Sequence, residues 1–431
     1  MIFIIYSETD LGSLTGRLGA PEYSYWFVLR EFRIVLERMG LVIFTRDPEQ
    51  EVDRLYRQFR ERGEACVFLC FEPPHKVPLG LACPTIPVFA WEFESLPDED
   101  WTGDPRSDWR HVLRTVGRAI THSEHCVRVT RAAMGQDFPI ASIPAPVWDG
   151  FAHQTEHLNG QDGPPQGQRR LHVQGTVIDS RQVDLAAYAS PLRRQFGYAA
   201  LPPATIEPIE LVLDGTVYVS VFNPQDMRKN WFDMIAGFIW ALREQPGATL
   251  VLKLTHRDNA HSLSAMLEEL SKHAPFRCRV VLIAGFLGEA SYDALVNGAT
   301  FVVNASHGEG QCLPLMEFMS AGKPAIAPSN TAMADYVDER CAFLLRSSKE
   351  PCCWPHDDRA LYRTLRWRID FGTLVAAYAD SYRVASREAA RYQSMSAAAR
   401  ESLRRHCSRA VTERRLRMVL GMELGVQDAA E

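Results

Sequence analysis

Two glutamates with seven residues between them, Glu309 and Glu317, mark the segment where groups capable of chemistry are most concentrated. Residues 301–303 are β-branched or aromatic, which predicts a strand buried on both faces of a parallel sheet. A polar turn follows, and Pro314 suits the first position of a helix. Unpaired backbone N–H groups and the positive end of the helix dipole would converge on that turn. The sequence therefore predicts a phosphate site at four residues: Gly310, Gln311, Cys312 and Leu313.

A carboxylate beside an anion site is unfavourable unless it binds something neutral, such as a sugar or ribose hydroxyl. The combination of Glu309 and Glu317 with a phosphate site therefore indicates a nucleotide-sugar pocket. One alternative is the acid/base pair of a hydrolase, and another is a solvated helix start with incidental acids. A diphosphate leaving group suits the predicted anion site better than water does.

The same segment resembles the E-x7-E region of the retaining glycosyltransferases of family GT4. The resemblance rests on Gly310, on Leu313-Pro314 and on the helix exit Gly322-Lys323-Pro324, in addition to the two acids. It implies an α/β fold of GT-B type, with two Rossmann-like doubly wound domains facing a cleft. It also implies that Glu309 contacts the transferred sugar near the anomeric carbon and that Glu317 holds the ribose hydroxyls.

The composition sets the broad class of protein. The 431 residues, of which 46% are apolar, can build two or three domains. A net charge of −6 argues against a nucleic-acid partner. Ten cysteines without C-x-x-C spacing predict reduced thiols in a cytoplasmic protein. We expect neither a signal peptide nor a transmembrane helix, because the first apolar run lacks a basic leader and no stretch is long enough to cross a bilayer.

Strand and helix patterns alternate along most of the chain, which predicts parallel doubly wound sheets. We expect an N-terminal Rossmann-like acceptor domain in residues 1–150 and a C-terminal Rossmann-like nucleotide-sugar domain in residues 215–372. Residues 151–214 predict a linker and a β-rich insertion that caps the cleft or makes an oligomer contact. From about residue 357 the pattern predicts helix, and helices in residues 373–431 should pack back on the N-terminal domain.

Two features of the N-terminal half are candidate ligand contacts. Residues 19–22 approximate a GGxE pattern that borders the donor diphosphate in the resembled family, which makes Gly19 a donor-binding candidate. A plain turn is the alternative. Glu92 follows Trp91 at the position where many family members carry an acceptor-side histidine. Glu92 is therefore a candidate to orient or deprotonate an acceptor hydroxyl, or it is only a loop acid.

Cations follow the strands of the C-terminal half. Arg228 and Lys229 lie at a strand-to-helix turn where the resembled family binds the diphosphate with an arginine and a lysine, so both are candidate catalytic groups. Lys253 ends a later strand and is another candidate for the phosphate, although the pattern favours a surface lysine. Phe286 and Leu287 follow the next strand, where related proteins frame the nucleotide base.

No metal is expected. An Asp-x-Asp metal motif would directly follow a strand, whereas Asp98-Glu99-Asp100 follows a Ser-Leu-Pro loop. Cys312 invites a nucleophile interpretation that no Cys–His arrangement supports. Ten arginines against three acids between residues 381 and 420 favour a solvated helical face, with peripheral contact to the cytoplasmic leaflet as the alternative.

These features predict a metal-independent hexosyltransferase that moves a sugar from a nucleoside diphosphate sugar to a saccharide or lipid-linked saccharide. UDP- and GDP-sugars are the favoured donors. The resemblance implies a place in bacterial cell-surface polysaccharide or glycolipid synthesis. Three alternatives stay open: a nucleotide-sugar epimerase on the same fold, a catalytically silent scaffold and a polysaccharide-binding module. The oligomeric state, the base, the sugar and the linkage are not specified by the sequence.

Overall fold

The computed structural model describes residues 1–10, 12, 16, 19, 22–153, 163–165, 167–189, 201, 205–285 and 287–422. These residues form two large sheets and a short antiparallel hairpin. Among them, no helix is both long enough and apolar enough to span a bilayer.

The first sheet is built mainly from short apolar segments such as IFIIY and CVFLC, which are almost fully buried, as expected for strands covered on both faces. Its parallel strands are β1 (Ile2–Tyr6), β2 (Leu41–Phe44), β3 (Cys66–Cys70), β4 (Thr85–Phe89), β5 (Ala119–Thr121) and β6 (Ile140–Ser142). They lie in the order β2-β1-β3-β4-β5-β6. The order reverses between β1 and β3, so the crevice of this sheet lies at the carboxyl ends of those two strands.

The second sheet has a Rossmann-like core. Its strands are β7 (Arg169–Asp179), β8 (Thr205–Leu213), β9 (Thr216–Phe222), β10 (Ala248–Leu254), β11 (Arg279–Ala284), β12 (Phe301–Val303), β13 (Ala325–Pro328) and β14 (Ala342–Leu345). They lie in the order β14-β13-β12-β9-β10-β11-β7-β8. Within the parallel part the order reverses between β9 and β12, which places the second crevice at the carboxyl ends of these strands.

Helices cover the sheets and connect their strands. In chain order they are α1 (Ser24–Met39), α2 (Pro48–Arg60), α3 (Trp109–Val116), α4 (Glu124–Met134), α5 (Trp148–Phe151), α6 (Trp231–Leu242), α7 (Ala260–His273), α8 (Glu289–Gly298), α9 (Leu313–Ser320), α10 (Phe371–Arg387), α11 (Ala389–Cys407) and α12 (Arg409–Val419). Side-chain caps fix several starts: Ser123 Oγ, for example, accepts the Cys126 N–H at 3.1 Å. Phe32, on the apolar stripe of α1, is fully buried where that helix packs on the first sheet.

The segment predicted as a β-rich insertion supplies β7 and β8, which extend the second sheet. β7 pairs antiparallel with β11, with Asp179 opposite Val281. The Arg279 Nη2 atom lies 2.7 Å from Asp179 Oδ2 in a nearly buried ion pair across the same two strands. Phe151, at the start of this segment, lines the interdomain cavity, whereas no described residue of β7 or β8 does. Its observed role is to widen the sheet.

A β-hairpin follows β14, where the sequence pattern predicts helix from about residue 357. Strands β15 (Ser347–Cys353) and β16 (Tyr362–Ile369) pair antiparallel, and helix begins only at Phe371. The helical prediction for this stretch is therefore wrong. Leu365, Trp367 and Ile369 recur at every second position, which is the period of a strand.

The last two helices return to the first domain, as predicted. Thr412 Oγ1 donates to the Pro144 carbonyl at 3.2 Å, and the Arg409 N–H donates to Asp149 Oδ2 at 2.7 Å. The Arg415 guanidinium also donates to a carbonyl of the first domain. Some of the C-terminal arginines thus serve interdomain packing, and the predicted membrane contact stays a prediction.

Candidate active site

The carboxyl ends of β9 and β12 meet where the strand order of the second sheet reverses, the usual ligand position in an open α/β sheet. The loop after β9 carries Arg228 and Lys229, and the loop after β12 carries Glu309. The two loops touch, because the His307 N–H donates to the Arg228 carbonyl at 2.8 Å. The topology therefore brings the predicted cations beside the E-x7-E segment.

The helix that carries Glu317, α9, begins at Leu313, and its first N–H groups have no partner within the helix. Cys312 precedes it in the left-handed region at φ 66°, Pro314 lies in its first turn, and no side chain among the described residues caps it. Burial raises the pKa of the Cys312 thiol, so this cysteine is not an activated nucleophile. A Cβ on Gly310 would lie 2.8 Å from Ala90 Cβ, so glycine allows the loop to approach the first domain.

Glu309 is held in a buried ion pair. Its carboxylate oxygens both accept hydrogen bonds from Lys229 Nζ at 2.8 Å, and Oε1 accepts another from Asn304 Nδ2 at 3.1 Å. Burial opposes both charges, but the attraction outweighs it, so the pKa of Glu309 is lowered and that of Lys229 is raised. Both groups are therefore charged at neutral pH, and Lys229 is already engaged by an acid before any ligand binds.

Arg228 is the centre of a second ion cluster. Its guanidinium pairs with Glu92 of the first domain, with Asp226 Oδ2 at 2.7 Å and with the Gly308 carbonyl at 3.0 Å. Burial raises the pKa of Glu92. Burial also acts to raise the pKa of Asp226, but the attraction to Arg228 and Lys229 and the hydrogen bonds from Arg228 together outweigh it and lower that pKa to about 2. Arg228 thus links the two domains across the cleft.

Glu317 accepts a hydrogen bond on Oε2 from the Tyr292 hydroxyl. Burial raises the pKa of Glu317 to about 7, against the opposing effect of that hydrogen bond. Hydrogen bonds from the hydroxyls of a ligand would stabilise the charged form of this carboxylate, which burial disfavours. Its environment is therefore compatible with the predicted contact to a ribose.

Lys253 lies at the end of β10 and is only 7% exposed, so the favoured interpretation as a surface lysine is wrong. Burial lowers its pKa to about 8, and within the described residues no carboxylate pairs with it. A strand residue at the carboxyl edge points into the crevice, which its sequence position alone did not reveal. Lys253 is thus a buried cation with no counter-ion among the residues that the structure describes.

One cavity of about 1210 Å³ between the sheets collects the predicted site residues. Those that line it are Gly19, Glu92, Arg228, Lys229, Lys253, Leu287, Glu309, Gly310, Gln311, Cys312, Leu313 and Glu317. Phe286 lies outside the described residues. Gly19 has φ 79° and lies so close to His256 of the second domain that a Cβ would collide with that ring. The structure brings these residues together in one cavity, and their roles stay predictions.

Three further residues of the cavity wall escaped the sequence reasoning: Asp226, Tyr292 and Tyr23. Asp226 lies two residues before Arg228, and its Oδ1 accepts the Arg228 N–H at 3.1 Å in a local turn that the sequence could have suggested. Tyr292 meets Glu317 across 25 residues of chain, and Tyr23 bonds to Thr255 of the other domain. Such long-range contacts leave no local signal.

Three residues of types that can ligate a metal lie together at the edge of the cavity. Glu22, His75 and His356 bring one potential ligand atom each within 4.8 Å of one another. The Lys76 ammonium lies 2.8 Å from Glu22 Oε2, however, and already supplies the positive charge that this carboxylate needs. In the Asp98-Glu99-Asp100 motif, Glu99 pairs with Arg363 at 2.7 Å and does not line the cavity.

Comparisons with known proteins place the fold. No protein-family model and no curated protein sequence matches the chain. HepE of Anabaena, solved with UDP, matches 97% of this chain and 99% of its own at 12% identity and a TM-score of 0.52. The match with a glycosyltransferase of Rickettsia africae covers 97% of this chain and 98% of that protein, at 8% identity and a TM-score of 0.52. The match with the N-terminal domain of Candida albicans trehalose-6-phosphate phosphatase covers 97% of this chain and 98% of that domain, at 11% identity and a TM-score of 0.53.

The chain spans just over half the length of some larger similar structures. The match with Staphylococcus aureus TarM covers 55% of TarM and 82% of this chain, at 10% identity and a TM-score of 0.48. Over nearly its whole length, by contrast, it shares the architecture of HepE. The fold is GT-B: two Rossmann-like α/β domains face a cleft, and the last helices cross back.

Proposed function

We propose that the chain is a glycosyltransferase that moves a sugar from a nucleoside diphosphate sugar to a saccharide acceptor. The observation that carries the proposal is the convergence of two lysines, the N-terminus of α9 and two glutamates in one interdomain cavity. HepE has been solved with UDP, with UDP and glucose, and with UDP-glucose, which supports a nucleotide-sugar ligand for this fold.

The cations and the helix have the charge needed for the leaving group. When the bond between the anomeric carbon and the diphosphate breaks, its electron pair passes to a phosphate oxygen. Lys253, which pairs with no carboxylate in the described part of the chain, and the N–H groups at the start of α9 would stabilise that charge without a metal. Lys229 would join them by exchanging one of its two hydrogen bonds to Glu309 for a phosphate oxygen.

The two glutamates divide the remaining contacts. Glu317 would hold the ribose hydroxyls, and Glu309 would hold the transferred sugar near its anomeric carbon. The resemblance to retaining enzymes favours attack from the face that the diphosphate leaves, through an oxocarbenium-like state. The acceptor oxygen then bonds to the anomeric carbon, and its proton passes to the departing phosphate oxygen. The proposal also includes a hexosyl donor, a lipid-linked acceptor, peripheral contact with a membrane and a role in bacterial cell-surface polysaccharide synthesis.

A donor screen tests the proposal. We expect a UDP- or GDP-sugar to raise the free energy of unfolding by about 2.7 kcal/mol at a hundredfold excess over its dissociation constant, and to serve as a donor in a transfer assay. The matched control is the double variant Lys229→Met/Glu309→Gln, which removes the buried pair without leaving either charge alone and should not respond. If no UDP-, GDP- or ADP-sugar stabilises the wild type, the proposed function is wrong.

A further inference from the structure

A smaller cavity of about 340 Å³ shares three charged residues with the nucleotide cavity. Glu92, Asp226 and Arg228 line both spaces, so their ion cluster forms a common wall. The rest of the small cavity is lined largely by the β15–β16 hairpin and the loop between its strands, including Pro351, Cys352 and Tyr362. Its volume is at the lower end of the range of about 300–1,000 Å³ that ligand pockets occupy.

The hairpin is fixed to the first domain at this place. The Glu94 N–H donates to the Leu365 carbonyl at 3.2 Å, and the Trp367 Nε1–H donates to Glu94 Oε1 at 2.9 Å. Lys349 Nζ pairs with the other oxygen of the same carboxylate at 2.9 Å. Because Glu94 lies two residues after Glu92, these contacts hold the hairpin beside the common wall.

The small cavity combines carboxylates with an open aromatic ring. Tyr362 is 72% exposed, although it borders a cavity, and Phe93 forms part of the apolar floor. The carboxyl oxygens of Glu92 and Asp226 accept hydrogen bonds, whereas the guanidinium groups of Arg228 and Arg366 in the same lining only donate them. A hydroxyl both donates and accepts, so this lining suits a ligand that is rich in hydroxyls. An aromatic ring offers a flat apolar surface at low entropic cost. A sugar ring, with its hydroxyl edge and C–H faces, matches both requirements.

Glu92 connects the two spaces. Its ion pair with Arg228 uses Oε1, whereas a Cβ on Gly310 in the nucleotide loop would lie 3.3 Å from Oε2. A hydroxyl bound at Glu92 from the small cavity is therefore close to the loop that borders the donor sugar.

We infer that the small cavity binds the acceptor saccharide, with one sugar ring stacked on Tyr362 and its hydroxyls at Glu92 and Asp226. The inference rests on the proposed function and adds that the hairpin determines which acceptor is used. It assigns Tyr362 to acceptor binding and leaves nucleotide binding to the large cavity.

Saturation-transfer NMR on the full chain with UDP present tests this assignment. The probes are methyl α-glucoside, methyl β-galactoside and methyl α-mannoside. We expect at least one probe to bind to the wild type and to Tyr362→Phe, which keeps the ring, and to bind at least fivefold more weakly to Tyr362→Ala. The control Leu361→Ala removes an exposed neighbour that does not line the cavity, and it should bind the probe as the wild type does.

Calorimetry with UDP on the same variants separates this inference from the proposed function. We expect equal UDP affinity in the wild type and Tyr362→Ala. If UDP binds but no probe binds, or if Tyr362→Ala holds the probe as tightly as the wild type, the acceptor assignment is overturned and the donor site stands. If the wild type does not bind UDP, GDP or ADP, the proposed function itself fails and the acceptor assignment falls with it.

Discussion

Replacing Lys253 with methionine removes a buried charge while keeping most of the side-chain volume. Burial lowers the pKa of this lysine from 10.5 to about 8. At about 1.4 kcal/mol for each tenfold change in the protonation equilibrium, the buried charge costs about 3 kcal/mol. A diphosphate that restores the ordinary pKa recovers that free energy on binding, so Lys253→Met should weaken UDP binding roughly 100-fold at pH 7.

The pH dependence gives the sign of the effect. Binding of an anion favours the charged ammonium, so wild-type affinity should be highest below pH 8 and fall as the pH rises through about 8. At pH 9 about one lysine in ten still carries its charge before binding, which weakens UDP binding roughly tenfold relative to pH 7. The UDP affinity of Lys253→Met should not show this tenfold fall. Calorimetric titrations with UDP at pH 7 and pH 9 measure the affinities of the wild type and the variant.

Stability measurements on the same variant control for folding. The lowered pKa of Lys253 destabilises the folded state most below pH 8, and the penalty vanishes as the pH rises to about 10.5. Lys253→Met should therefore be more stable than the wild type at pH 7, by at most about 3 kcal/mol, and this advantage should close towards pH 10.5. If wild type and variant show equal UDP affinities and equal pH dependences, Lys253 does not contact the diphosphate.

Three further predictions follow from the site. Lys229→Met and Glu309→Gln should each destabilise the fold by about 3–5 kcal/mol, because each leaves a buried charge unpaired. The double variant should recover stability without recovering transfer, which chemical denaturation and a transfer assay measure. Equal stability of all three variants would contradict the ion pair. The wild type should bind UDP roughly tenfold to a hundredfold more tightly than 2′-deoxy-UDP, as expected for a hydrogen bond to a charged group. Glu317→Gln should lose that preference. A preference that survives the substitution would show that Glu317 does not hold the ribose. Transfer should persist unchanged in EDTA, and activity that disappears with the chelator and returns with Mg²⁺ or Zn²⁺ would refute a metal-independent mechanism.

Local sequence signals sufficed for the central motif. Glu309, Glu317 and the turn between them were predictable because the apolar run, the polar turn and Pro314 follow the strand, loop and helix rules within a short segment. The alternation of strands and helices predicted both doubly wound sheets. Parallel topology then brings together the loops after β9 and β12, and with them Lys229 and Glu309.

Long-range packing determined what the sequence did not reveal. Lys253 has the same local pattern whether its side chain faces solvent or a cavity, and only the folded structure shows that it is 7% exposed. The pairing of Arg228 with Glu92 joins residues from different domains and depends on how the cleft closes. The β15–β16 hairpin was missed because its many charged residues resemble a solvated helical face, although alternate positions such as Leu365 and Trp367 turn towards its partners.

A crystal structure of the complex with UDP tests the central claim most directly. We predict that diphosphate oxygens lie within about 3 Å of Lys253 Nζ or Lys229 Nζ and of the N–H groups at residues 312–313, and that Lys229 has given up at least one of its hydrogen bonds to Glu309. A diphosphate bound outside the interdomain cavity, or bound there without contact to either lysine or to the start of α9, would contradict the account.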